Sequence, residues 1–293
     1  MRTRIYRSFL LFIVLPAMFV AMPMVRGYAQ DKVVKEHKEF KEVAKHKEFC
    51  SNNNWNGNDK VSTSELREMT VASTGKLDVD GARNGGISIK GENRSDVLIR
   101  ACVQTWGSSE AEAKSLASSI RINTGGTIKA DGPEENWSVS YDIRAPRNSN
   151  LNLKAHNGGI SIKGVDGSMD FVTVNGGVNV NDAAGDVRGR TTNGGINVSL
   201  IGSGWKGTGL DLQTTNGGVN LTIPADFAAN VEAGTVNGGF SSDIPALNIT
   251  TEDVKGEYGR QKAKKINTNL NGGGAPVRVV TTNGGIRINS SSK

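Results

Sequence analysis

The stretch Met169–Val198, MDFVTVNGGVNVNDAAGDVRGRTTNGGINV, says nearly the same thing twice, and much of the chain repeats it. The triplet Asn-Gly-Gly begins at Asn84, Asn157, Asn175, Asn193, Asn216, Asn237, Asn271 and Asn283. Three residues after the Asn stand Ile87, Ile160, Val178, Ile196, Val219, Phe240 and Ile286. Two further on come Ile89, Ile162, Val180, Val198, Leu221 and Ile288, with Ser242 the exception. The residue between them is always polar: Ser88, Ser161, Asn179, Asn197, Asn220, Ser241 and Arg287. Successive strand residues face opposite ways, so this is a strand with one buried face. The alternation also runs upstream, through Leu151, Met169, Val187, Leu210, Val231 and Val277 six residues before the Asn. Leu153, Phe171, Leu212, Ala233 and Val279 follow four before it, with Gly189 as the gap. Each unit therefore reads as strand, tight corner, strand. Asn and Gly supply positive φ at such a corner, and a second Gly lets a neighbouring corner approach.

Two architectures fit the unit. Asn-Gly can close an antiparallel hairpin, or it can turn one coil of a β-solenoid whose coils pair in parallel. From Asn157 to Asn237 the Asn residues lie 18, 18, 23 and 21 apart, with the excess near residues 201–206 and Asp226. Insertions confined to one loop edge while the corners keep register favour the solenoid. The expected fold class is all-β: a single-chain β-solenoid of stacked Asn-Gly-Gly coils with one helix-bearing insertion.

That insertion, about 92–146, lies in the 73-residue gap between Asn84 and Asn157. DVLIRACVQTW (Asp96–Trp106) and WSVSYDIRAP (Trp137–Pro146) read as strands, and SEAEAKSLASS (Ser109–Ser119) as a Ser-capped helix. Its expected role is to cover an end or a side of the stack, since open strand edges invite pairing. A second irregular stretch, Val254–Leu270, carries Lys255, Arg260, Lys262, Lys264 and Lys265 and reads as a basic loop or a distorted coil.

Residues 1–29 read as a secretory signal peptide, with Arg2, Arg4 and Arg7 before an apolar run and small residues at its end. Residues 30–62 read as a charged stalk or linker, helical or flexible, and 63–293 as the repeat domain. The leader holds four of the 35 basic residues and no acidic one, which leaves 31 − 29 = +2 on the remainder. Balanced charge argues against nucleic acid as a partner. No stable membrane span is expected once the leader is removed. Cys50 and Cys102 are the only cysteines. In an oxidising compartment they either pair or stay as two buried thiols.

Catalytic equipment is thin. His37 and His46 fall in the charged stretch and His156 sits beside a corner, so no pair has metal-ligand spacing. Asp166, Asp170, Asp182 and Asp186 fall at unequal offsets from their own Asn. Asp170 and Asp211 share an offset, but Arg188 holds the same offset in the copy between them. No phosphate loop is present, and no cofactor or metal is expected. Trp55, Trp106, Trp137 and Trp205 look too scattered for a sugar platform.

The units TVNGGVNV, TTNGGINV, TTNGGVNL, TVNGGF and TTNGGIRI, with RNGGISIKG and HNGGISIKG before them, resemble the bacterial putative-adhesin domain family of largely unknown function. The resemblance covers roughly Leu66 to the end of the sequence and departs at Asn271, where NGGGAP lacks the apolar-x-apolar step. It implies a β-solenoid, a surface location and adhesion, and supplies no catalytic or ligand residues. The expectation is an exported, non-enzymatic interaction module whose partner is a protein or glycan at the cell envelope. The alternatives are a polysaccharide-acting enzyme, or an assembly component whose partner meets the final coil edge near Ile286 and Ile288.

Overall fold

The computed structural model describes residues 49–50, 60–200, 205–256 and 259–291, with the backbone alone for 252–256 and 259–262. The chain divides into two units, Met1–Glu48 and Phe49–Lys293, and all of these residues belong to the second. The leader, most of the charged stretch, His37, His46 and Trp55 lie outside the described residues.

β1 (Val61–Ala72) precedes the first repeat, which runs through β2 (Lys76–Asp80), the corner at Asn84 and β3 (Ile87–Glu92). The insertion follows as β4 (Asp96–Gly107), helix α1 (Glu110–Ser119), β5 (Arg121–Asn123), β6 (Ile128–Asp131) and β7 (Trp137–Pro146). β8 (Asn150–Ala155) and β9 (Ile160–Lys163) meet at the Asn157 corner, and β10 (Met169–Asn175) and β11 (Val178–Ala183) at Asn175. β12 (Val187–Asn193) and β13 (Ile196–Leu200) meet at Asn193, and β14 (Leu210–Asn216) and β15 (Val219–Pro224) at Asn216. β16 (Ala229–Thr235) and β17 (Phe240–Ser242) meet at Asn237. β18 (Thr250–Gly256) and β19 (Gly259–Leu270) then lead to β20 (Ala275–Asn283) and β21 (Ile286–Ser291) around Asn283.

The described residues from Lys60 onward are all-β apart from α1, in two large sheets. One is ordered β1-β4-β7-β3-β9-β11-β13-β15-β21-β17 and the other β18-β19-β16-β20-β14-β12-β10-β8-β2-β6-β5. Strands of neighbouring repeats pair in parallel and in register, as Val178↔Ile196 in the first sheet and Met169↔Val187 in the second. The repeats are therefore stacked rungs and not antiparallel hairpins. The apolar side chains fill the space between the sheets, where Leu153, Phe171, Val180, Leu212 and Ile288 are all buried. Gly189 has a packing reason: its register partner is Phe171, whose ring occupies the space a Gly189 Cβ would need, at 2.0 Å.

The rungs do not stack in sequence order. β20 lies between β14 and β16, and β21 between β15 and β17, so the Asn283 rung is threaded between the Asn216 and Asn237 rungs. Ile286 and Ile288 are thus buried inside the stack, and the edge strand at that end is β17. An assembly partner meeting a free edge at Ile286 and Ile288 has no edge there to meet. Val254–Leu270 is neither loop nor coil: it falls within the antiparallel hairpin of β18 and β19, and β19 pairs in turn with β16. Asn271 is no corner either. It sits in the β19–β20 turn with φ 49°, followed by Gly272 at 91° and Gly273 at 82°.

The insertion covers the other end. β7 extends the first sheet parallel to β3, β4 pairs antiparallel with β7, β1 adds the edge, and β5 and β6 extend the second sheet. Ser109 caps α1 by accepting the Glu112 N–H, and the helix buries Ala113 and Ala117. Arg67 of β1 donates to the Ala117 and Ile120 carbonyls at 2.8 and 2.6 Å, tying the end of α1 to the sheet. Cys50 and Cys102 are bonded. Closing a loop with a sequence separation of 52 is worth about 4 kcal/mol by chain entropy. Cys50→Ser should lower stability by roughly 2–4 kcal/mol in denaturant titration, and a change under 0.5 kcal/mol would show that the bond constrains nothing.

Candidate functional site

Seven of the eight triplets form corners, and the geometry explains the residue types. None of the corner Asn or Gly residues occupies the left-handed region, so positive φ is not what the triplet provides. The first Gly of each corner triplet is required by contact. A Cβ on Gly176 would lie 2.1 Å from the Gly158 carbonyl oxygen, and one on Gly194 2.1 Å from that of Gly176. The second Gly is less constrained, as at Gly195, whose Cβ would meet the Gly218 oxygen at 3.4 Å. A buried Thr two residues before the Asn donates to a corner carbonyl of the neighbouring rung: Thr173 to Gly158 and Thr191 to Gly176, at 2.9 and 3.1 Å.

The Asn side chains make a continuous ladder. Asn157 Nδ2 donates to Asn84 Oδ1 at 3.0 Å, Asn175 to Asn157, Asn193 to Asn175, Asn216 to Asn193, Asn283 to Asn216 and Asn237 to Asn283, the last five at 2.8 Å. All the amides point one way, so each bond polarises the next. Asn193→Ala would leave the Asn216 donor and the Asn175 acceptor to water. Because these groups are exposed, the expected cost is only about 1 kcal/mol, measured as a midpoint shift at constant m-value.

The outer face of the first sheet carries one polar residue from every strand in register. The row runs Glu68, Arg100, Asp142, Ser88, Ser161, Asn179, Asn197, Asn220, Arg287, Ser241. At roughly 4.8 Å per strand it spans about 43 Å. At the insertion end it is ionic: Arg100 Nη1 donates to Asp142 Oδ2 at 3.2 Å, and Arg100 Nε lies 3.1 Å from Glu68 Oε1. In the middle it is amide: Asn197 donates to Asn179 and Asn220 to Asn197, at 2.9 and 2.7 Å. Phe49, beside the disulfide, lines a cavity of about 300 Å³ with Ser88, Ser161 and Asn179, so this half of the face is partly occupied. The half from Asn197 to Ser241 is exposed.

The second sheet's outer row alternates in charge: Asp78, Asn152, Asp170, Arg188, Asp211, Arg278, Glu232. Arg188 stands between Asp170 and Asp211, and Arg278 Nη1 donates to Asp211 Oδ1 at 3.1 Å. Lys76, then Asn152, hold the Asp78 carboxyl below the usual carboxylate range. The remaining aspartates are dispersed. Asp166 takes a forked pair of bonds from Arg147 at 3.1 and 3.2 Å, Asp182 lies 3.9 Å from Lys163, and Asp186 accepts from Thr208. His156 is exposed beside its corner. Among the described residues, no group of three or more His, Cys, Asp or Glu could hold a metal, and no helix is long and apolar enough to cross a membrane.

The tryptophans are less scattered than the sequence suggests. Trp205 donates to the Gly185 carbonyl at 2.9 Å and packs on Phe227, while Trp106 and Trp137 line one cavity at the insertion end. The antiparallel register of β4 and β7 sets Thr105 opposite Trp137 and so brings these two together. The signal was available: when two strands pair antiparallel, the end of one lies beside the start of the other.

No curated protein matches the chain. Several solved structures are similar to it. The "putative cell adhesion protein" from Clostridium sporogenes ATCC 15579 has a TM-score of 0.42 at 12% identity, over 78% of this chain and 100% of that one. The "putative adhesin" from Parabacteroides merdae ATCC 43184 gives 0.32 at 8%, over 78% and 96%. The "putative lipid binding protein" from Parabacteroides distasonis ATCC 8503 gives 0.30 at 10%, over 81% and 98%. The Toastrack DUF4097 family model matches residues 58–289, a span that holds the whole insertion and every corner, and the chain belongs to that family.

Proposed function

We propose that the protein is an exported, non-enzymatic interaction module of the cell envelope, an Asn-Gly-Gly β-solenoid that binds a glycan or protein along the outer face of its first sheet. The observation that carries this reading is the in-register polar row, and above all its exposed half, Asn197, Asn220, Arg287 and Ser241. Parallel in-register stacking holds these side chains at a fixed repeat on a rigid surface, so the entropy cost of ordering them is met in folding and not in binding. The Cys50–Cys102 bond and the apolar leader support export, because structural disulfides persist in oxidising compartments.

The test is binding of the purified oxidised protein to an array of envelope polysaccharides, glycans and matrix proteins at low and high salt, with product analysis of the polysaccharides. Saturable binding without shortened products, weakened about tenfold or more by Asn197→Arg in the middle of the row, is the expected result. Shortened products would establish an enzyme in its place, and binding untouched by Asn197→Arg would remove the face from the account.

A further inference from the structure

β4 and β7 run past the first corner. Ile87, the first residue of β3, pairs with Tyr141, so the four residues of β7 before it overhang the Asn84 corner together with the end of β4. Beneath this overhang lies a cavity of about 540 Å³, within the size range of small-ligand pockets, roughly 300–1,000 Å³. Trp106, Trp137, Asn84 and Arg83 line it, and Glu134 and Glu135 stand at its side.

Three features set this cavity apart from the polar surface around it. First, the Asn ladder ends here on its donor side. Asn84 accepts from Asn157, and its own Nδ2 has no partner among the described residues, so an aligned row of amides presents a polarised N–H to the space. Second, two of the four non-glycine residues at positive φ among the described residues border it, Ala82 at 51° and Asn136 at 66°. Alanine in that region is strained, and strain persists where the surroundings impose it, often at ligand sites. Both are held. The Ala82 N–H donates to Asp80 Oδ1 at 2.8 Å, while Asn136 receives the Trp106 N–H on its carbonyl at 2.9 Å and Lys60 Nζ on Oδ1 at 2.9 Å. Third, the indoles differ. Trp137 Nε1 donates to the Pro133 carbonyl and so anchors the overhang, whereas Trp106 Nε1 has no partner among the described residues.

The lining selects a chemical class. Indole faces take C–H surfaces, and free amide, indole and guanidinium N–H groups take oxygen acceptors. Lys60 and Arg83 are offset by Glu134 and Glu135, so the cavity has no net attraction for a phosphate or a polyanion. A pyranose, with one face of C–H groups and a rim of hydroxyls, meets all of these conditions. We propose that this cavity is a subsite for one or two units of a neutral saccharide, distinct from the outer face of the first sheet.

The test is a titration of the full oxidised chain, read by tryptophan fluorescence, with glucose oligomers, N-acetylglucosamine oligomers and, as the anionic control, galacturonate oligomers. Saturable binding of a neutral series is expected. Trp106→Ala should weaken it about tenfold or more and Arg83→Ala several-fold, and Asn197→Arg on the outer face should leave it unchanged. Arg83 is exposed and has no side-chain partner among the described residues, so that variant keeps the test independent of any folding defect in Trp106→Ala. Failure of every neutral series to saturate, a preference for galacturonate, or affinity unchanged from the unsubstituted protein in both cavity variants would each overturn the proposal. Should an array ligand be lost in Asn197→Arg while every neutral series fails to saturate, the outer-face reading would survive while this one fell.

Discussion

Gly194→Ala should destabilise the protein by more than about 4 kcal/mol, enough to prevent its recovery in folded form. The added Cβ would lie 2.1 Å from the Gly176 carbonyl oxygen, 2.6 Å from that carbonyl carbon and 3.0 Å from the Gly177 nitrogen. All three are backbone atoms of the neighbouring rung, so no side-chain rotation relieves the clash. Moving the corner away would break the Asn193 to Asn175 bond and pull the paired strands on both sides out of register. Gly195→Ala is the matched control. Its Cβ would meet one carbonyl oxygen at 3.4 Å, close to ordinary contact, and the expected loss is about 1 kcal/mol or less. Chemical denaturation of the pair decides the matter. Similar, small losses in both would mean that the corners can separate freely, and that close approach is not why the triplet is kept.

This difference between two adjacent glycines could not be read from the sequence, which suggested positive φ for Asn and the first Gly and close approach for the second, whereas the close approach falls on the first. The periodicity marked which residues are buried, because every repeat strand has one face in the core and alternates cleanly. It also placed β4, α1 and β7 within a residue or so. β1 was illegible for the opposite reason: its residues are exposed or only partly buried on both faces, so no alternation marks it. β18 and β19 hid behind their lysines and arginines, although β19 buries Ala263, Ile266 and Leu270. Candidate binding residues were harder still. The polar row follows from the repeat, but Asp142 joins it only through the parallel pairing of β7 with β3 and Arg100 through the antiparallel pairing of β4 with β7, which also brings Trp106 to Trp137.

Rung order was the most hidden feature, and it carries the second large effect. The Asn237 and Asn283 rungs have the same pattern, so sequence offers no reason for the later one to lie inside the earlier. Removing residues 275–293 should leave a gap between β14/β15 and β16/β17. β20 and β21 pair with all four of these strands and bury Val277, Val279, Ile286 and Ile288. Four such side chains represent roughly 6–12 kcal/mol of burial before the entropy of ordering is subtracted. In the shortened chain, residues 225–274 should become sensitive to protease while the rungs from Asn84 to Asn193 stay protected, because stacked repeats lose stability locally. A peptide of residues 275–293 added in trans should restore protection, since it supplies both missing strands and the Asn283 link between Asn216 and Asn237. The competing outcome is also structural. β16 and β17 could close directly onto β14 and β15, Asn237 reaching Asn216, and the shortened chain would then resist protease and ignore the peptide. That result would mean that the threaded rung fills a place its neighbours could close without it, and that its position is set by the β18–β19 hairpin and not by the strands it separates.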